Sequence, residues 1–176
     1  MAINWREIIL GKKVEPVVLK TPIISQTVHR LNWGDYERVL MAVCVWRESR
    51  GEGSEAWRWV AWSVRNRLEH KGVWYNRSGF LSEVISLPQQ YSSMTVKGDA
   101  QLTFFPVPKR LGGAYAADPV FLEILAICED SLDQPLENDP SHGSTHFYDT
   151  SITAPSWARP DKFTGQVGHI RFYREA

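Results

Sequence analysis

The residues Trp57, Val60, Ala61, Val64 and Leu68 constrain this chain more than any other feature. They recur at i, i+3, i+4, i+7 and i+11, which predicts one apolar helix face beginning near Ser54 and ended by Gly72. An earlier helix opens at Asp35, an N-cap type of residue. It runs through Tyr36, Val39, Leu40 and Val43 to a stop at Gly51. A short helix is expected from Ser78 with Phe80, Leu81, Val84 and Ile85 apolar and Pro88 beyond it. Asp118-Pro119 opens a fourth, a cap followed by proline at the first helical position. It carries Phe121, Ile124, Leu125, Cys128 and Leu132 on one face and closes at Pro135.

The period then changes. Thr145 to Tyr148 and Val167 to Tyr173 read as short strands, paired around the Pro155-to-Pro160 loop. The fold class is therefore α+β, mainly helical, with a small C-terminal β element. Residues 1–34 hold short apolar runs, Ile8-Ile9-Leu10 and Val17-Val18-Leu19, broken by Gly11, Pro16 and Pro22. They read as an arm packed on the domain formed by residues 35–176, and 176 residues suffice for one sizeable core.

Composition excludes some functions. Net charge is zero, which argues against a protein devoted to polyanions. Arg65, Arg67, His70 and Lys71 form a modest basic helix end, but Glu69 stands among them and a solvated surface is the simpler reading. Cys44 and Cys128 fall on helices and read as reduced, buried small hydrophobes. Some of the eight tryptophans can pack the core, but so many also suit a groove for flat sugar or base faces. The N-terminus lacks the pattern of a secretory leader, and no run is long enough to span a membrane.

Glu48 is the leading chemical candidate. It lies in Trp46-Arg47-Glu48-Ser49-Arg50-Gly51-Glu52, in the last turn of its helix, where the dipole disfavours a carboxylate. Trp46 would add desolvation, while Arg47 and Arg50 oppose it. A carboxyl kept protonated suits a general acid; a solvated helix-end glutamate is the plainer reading. Glu52 reads as a structural partner of Arg47, Arg50 or a nearby backbone N–H, and Glu55 as a first-turn acid. Gln90, Tyr91 and Ser92 follow Pro88 in a loop. They are either a turn with an aromatic anchor or a cleft wall in which Tyr91 packs against a sugar.

Together these segments resemble the spore-cortex-lytic, SleB-type cell wall hydrolase family. The resemblance covers about residues 39–173 in five pieces. They are Glu48-Ser49-Arg50-Gly51-Glu52, the helix ending in Asn66-Arg67, Pro88 to Ser92, Gly143 to Tyr148, and Pro155-Ser156-Trp157 with Gly165 to Tyr173. It implies a lysozyme-like lytic transglycosylase fold acting on peptidoglycan glycan strands at the bond between N-acetylmuramic acid and N-acetylglucosamine. Glu48 would be the single acid/base, with Ser49 and Glu52 as candidate supporting residues. Gln90, Tyr91, Ser92, His146, Tyr148, Asp149 and Trp157 would contact substrate. The muramic acid C6 hydroxyl would attack C1, leaving a 1,6-anhydro end.

No cofactor or metal is implied, no nucleic acid, no membrane insertion, and a monomer is expected. Where the family carries asparagine-proline, this chain has Asp149-Thr150. Asp149 thus becomes the leading second carboxylate for a hydrolytic alternative, with Asp99 and Asp161 behind it. The absence of a leader suggests an endolysin of phage type, held in a host cytoplasm until released to the wall. Two rival readings remain. His142 and His146, four apart, with His169, could hold zinc if they share a face. A glycan-binding virion module would use the same tryptophans without turnover.

Overall fold

Six consecutive residues, Leu40 to Val45, are each no more than 2 % exposed, so their helix is covered nearly all round. That helix, α1 (Asp35–Ser49), is the axis of the fold in the computed structural model, which describes residues 34–70, 79–88, 90–95 and 118–174. Residues 1–33 of the expected arm, Gly72, Ser78, Lys71 and Asp99 lie outside the described residues. Against α1 pack α2 (Ser54–Glu69) and, further along the chain, α5 (Pro119–Asp133). Two short helices, α3 (Leu81–Ser86) and α4 (Ser92–Thr95), lie between α2 and α5 in sequence and close on α1.

The starts and stops have local causes. Asp118 caps α5 as expected, its carboxylate accepting the Val120 N–H at 2.9 Å and the Phe121 N–H at 3.4 Å. α1 differs by one residue: Gly34 is the N-cap and Asp35 the first helical residue, with no side-chain cap bond. Tyr36, expected on the apolar stripe, is 47 % exposed. α1 stops at Arg50 with Gly51 in the turn beyond, and the Trp57 indole donates to the Ser49 carbonyl at 2.8 Å. That bond satisfies one of the carbonyls a helix end leaves open. α3 begins at Leu81, after the exposed Phe80.

Arg65 and Arg67, in the basic end of α2, are buried rather than solvated, contrary to the sequence reading. Arg65 is 8 % exposed, lies over the Trp62 ring at 4.8 Å, and donates to the Ser131 and Gln134 carbonyls at the end of α5. A cation there meets the negative end of the helix dipole.

Three antiparallel strands, β1 (His146–Asp149), β2 (Phe163–Val167) and β3 (Ile170–Tyr173), form a sheet in the order β1-β3-β2. The segment Val167 to Tyr173, read as one strand, is instead the end of β2, a turn at Gly168-His169 and β3. Asn66 and Arg67, at the end of α2, seat β1. Asn66 donates to the Asp139 carboxylate at 2.8 Å and the Ser144 carbonyl at 3.0 Å, and Arg67 donates to the Thr145 carbonyl. Asp139 also accepts the Ser141 and Gly143 N–H groups, fixing the turn that leads into β1. Cys44 and Cys128 are free and buried, and burial pushes both thiols up.

Candidate active site

Glu48 is half-buried in the last turn of α1, and the start of α4 lies against it. The Ser93 hydroxyl and the Ser93 N–H, the latter at 3.3 Å, both donate to Glu48 Oε1. The neighbouring Arg47 donates to the Ser93 carbonyl at 2.6 Å, so α4 is held from both sides of the Glu48 turn. Oε2 has no hydrogen-bond partner among the described residues. The carboxyl is thus anchored through one oxygen, with the other left for a proton.

Glu48 opens on a cavity of about 560 Å³, within the range of small-ligand sites. Gln90 and Ser92 form one side; His146, Tyr148 and Asp149 of β1 form another; Trp157, Ile152 and Pro155 lie on the loop between β1 and β2. Arg67, 4 % exposed, links these walls from behind. It donates to the Gln90 carbonyl at 3.3 Å, to Gln90 Oε1 at 3.2 Å and to the Thr145 carbonyl.

The aromatic wall is ordered by ring contacts. Trp157 lies 5.0 Å from the His146 ring and meets Tyr148 edge-on at 6.0 Å. Tyr148 stacks on Tyr173 at 5.9 Å. Burial, then the charges of Arg67, Lys162 and His70, hold the His146 imidazole down at about 4, so it is neutral near pH 7. Asp149 is exposed, and the Ser151 N–H at 2.7 Å holds its carboxyl below the usual range.

Most of the residues expected to touch substrate therefore gather in one cavity with Glu48; Tyr91 does not line it. It is 1 % exposed, lies under the Arg67 guanidinium at 4.5 Å and faces Phe147 at 6.4 Å. It cannot offer its ring to a sugar. Gln90 and Ser92, on either side, line the cavity while Tyr91 turns inward. Ser49 is also buried, its hydroxyl donating to the Val45 carbonyl at 2.8 Å. Glu52 reaches neither arginine. It accepts the His169 N–H at 3.3 Å and meets His169 Nδ1 at 3.1 Å, across the β2–β3 turn.

Trp46 is not among the cavity-lining residues: its indole donates to Asp118 at 2.8 Å and Arg50 lies over its ring at 4.5 Å. Asp161 is engaged by Arg159 at 2.9 Å and does not line the cavity either. Of the five tryptophans among the described residues, only Trp157 lines the cavity.

Two residues now central were not singled out as site residues from sequence, Ser93 and Arg67. Ser93 adjoins the flagged loop, and Arg67 lay in the Asn66-Arg67 pair that carried part of the resemblance. The zinc reading loses its geometry. His142, at φ 56°, sits edge-on to Trp59 and lines a different pocket, with Glu69 and His70. Among the described residues no three His, Cys, Asp or Glu side chains come together as metal ligands. No helix among them is long and apolar enough to cross a membrane.

A family model described as cell wall hydrolase matches residues 51–173. The match begins just after Glu48. The structure of the catalytic domain of the Bacillus cereus SleB protein superposes with a TM-score of 0.60 at 19% identity, covering 85% of this chain and 98% of that one. The catalytic domain of the germination-specific lytic transglycosylase SleB from Bacillus anthracis gives 0.59 at 19% identity, covering 82% and 98%. The helical body with its small sheet is that lysozyme-like fold. No curated protein matches the chain.

Proposed function

Because the chain belongs to the cell wall hydrolase family, we propose that it degrades peptidoglycan by cleaving the bond between N-acetylmuramic acid and N-acetylglucosamine as a lytic transglycosylase. The observation that carries this reading is the single cavity in which half-buried Glu48 faces the aromatic wall of Tyr148 and Trp157. A pyranose ring has apolar faces and a rim of hydroxyls, which such a wall and the polar Gln90 and Ser92 suit.

Glu48 gives its proton to the glycosidic oxygen as the C1–O bond breaks. The resulting carboxylate takes the proton of the C6 hydroxyl as O6 bonds to C1. One group thus serves as acid and then base, and the attack gains from being intramolecular. Ser93 holds Oε1 throughout, so the proton moves on and off Oε2. Likeness to a protein named a lytic transglycosylase supports this outcome.

A second outcome has its own support. Asp149 lines the same cavity and, like any aspartate not pushed upward, is ionised at neutral pH. A carboxylate there can activate a water and make the enzyme a muramidase. Mass spectrometry of muropeptides released in labelled water separates the two. The transglycosylase gives 1,6-anhydromuramic ends without label, whereas reducing ends carrying labelled oxygen establish hydrolysis. Release of no saccharide, with binding retained, would leave only a glycan-binding module.

A further inference from the structure

The aromatic wall does not stop at the cavity. In the sheet, His146 pairs with Tyr173 and Tyr148 with Arg171, while Phe163 pairs with Tyr173 from the other side. Directly paired residues share a face, so these side chains all lie on the outer face of the sheet. The opposite face carries Phe147, Ile170 and Phe172, which belong to or pack on the core. On the outer face the ring contacts continue. Trp157 meets Tyr173 at 5.7 Å, and Tyr173 meets Phe163 at 5.5 Å. Tyr173 is 5 % exposed between its neighbours, but Trp157 is 36 % and Phe163 47 % exposed.

We propose that this strip, from Trp157 across Tyr173 to Phe163, is an accessory glycan-binding surface that holds saccharide units of the same strand beyond those in the cavity. It rests on the glycan reading above. Three observations select this occupant. First, Trp157 lines the cavity and also begins the strip, so the two surfaces are continuous. Second, a polymer bound in an open cavity must leave it over some neighbouring surface, and this one is apolar where a folded domain gains nothing from leaving an aromatic ring in water. Third, Gln166 and Arg171 stand exposed on the same face, joined at 2.9 Å, and supply planar hydrogen-bonding groups beside the rings. Flat apolar faces flanked by amide and guanidinium match a pyranose better than an apolar peptide.

The test is chain-length dependence. Initial rates are measured on uncrosslinked glycan strands, one set short enough to fill only the cavity and one several disaccharides longer. The wild-type protein is expected to show a higher kcat/KM on the long set. Phe163→Ala should reduce that long-over-short advantage by roughly tenfold, the scale of one lost aromatic contact. Phe80→Ala, which removes a ring somewhat more exposed than Phe163 and outside both surfaces, should leave the ratio as it was. A wild type indifferent to length, or a Phe163→Ala ratio equal to that of the wild type, overturns the accessory surface and leaves the cavity reading standing. A Phe163→Ala change seen in sedimentation but not in length dependence places a second copy of the chain on the strip and overturns it equally. Cleavage of neither set overturns the glycan reading itself.

Discussion

Two residues of the cavity make separable demands on its chemistry. Glu48 offers one anchored and one open carboxyl oxygen, and Glu48→Gln keeps the Ser93 contacts while removing the transferable proton. Turnover should fall at least about a hundredfold with glycan binding retained, as measured on purified peptidoglycan. A folded variant that still lyses walls at near the normal rate would remove Glu48 from the mechanism. His146 is held neutral by the fold. Its folded-state pKa of about 4 lies below the unfolded value of about 6.5. Between those values the unfolded chain binds the extra proton, so stability declines as pH falls from about 6.5 to 4, and this part of the loss ends below 4. Urea unfolding at pH 7 and pH 4.5 should show a smaller pH difference for His146→Gln than for the wild-type protein. Equal differences would mean that His146 is not held neutral by the fold.

At the scale of elements, what the sequence made legible depended on where each partner lies. α2 and α5 could be read because their apolar spacing and, for α5, the Asp118-Pro119 cap are local signals. β2 escaped because Phe163-Thr164-Gly165-Gln166-Val167 holds a glycine, lies at a sheet edge and has a bulge between Phe163 and Gly165. Tyr91 misled for a similar reason: a one-residue offset between cavity and core is invisible without the loop's path. Arg67 binds carbonyls of two remote segments, and no spacing announces such bonds. Glu52 shows the same limit, since its partner is His169, 117 residues away. The contact depends on Gly168, whose φ is 55° and where an added Cβ would lie 2.1 Å from Glu52 Oε2. Gly168→Ala should therefore lower stability by about 1–2 kcal/mol through the left-handed backbone alone, with the crowded carboxylate adding to it. Glu52→Ala in the same protein should return only the second part, read as non-additivity in denaturant melts. Full additivity would show that the carboxylate and the turn do not touch.

For the molecule as a whole, the cavity exists only while the sheet stays seated on the helical body. Glu48 belongs to α1, but His146, Tyr148 and Trp157 belong to the sheet and its loop, so no single element contains the site. Seating is achieved by the Asn66 and Arg67 bonds to the chain entering β1 and by Trp59, which projects from α2 against Phe172 at 5.1 Å. Gly165 is the place where β2 leaves room for that indole: an added Cβ would lie 2.6 Å from Trp59 Cη2 and 2.9 Å from Cζ3. Trp59 is also flanked by the His142 ring at 6.0 Å. Gly165→Val should push β2 off α2, with a loss of about 1–3 kcal/mol typical of overpacking. It touches no cavity residue, yet it shifts the wall that carries Tyr148 and Trp157 relative to Glu48. Activity should therefore fall even at temperatures where the variant remains folded, because misplacing a reacting group by about an ångström can slow a reaction a hundredfold. Thermal melting and peptidoglycan cleavage measured on the same preparation decide it. A variant that melts lower but cleaves at the wild-type rate would show that the sheet's seating sets stability alone and leaves the alignment of the site untouched.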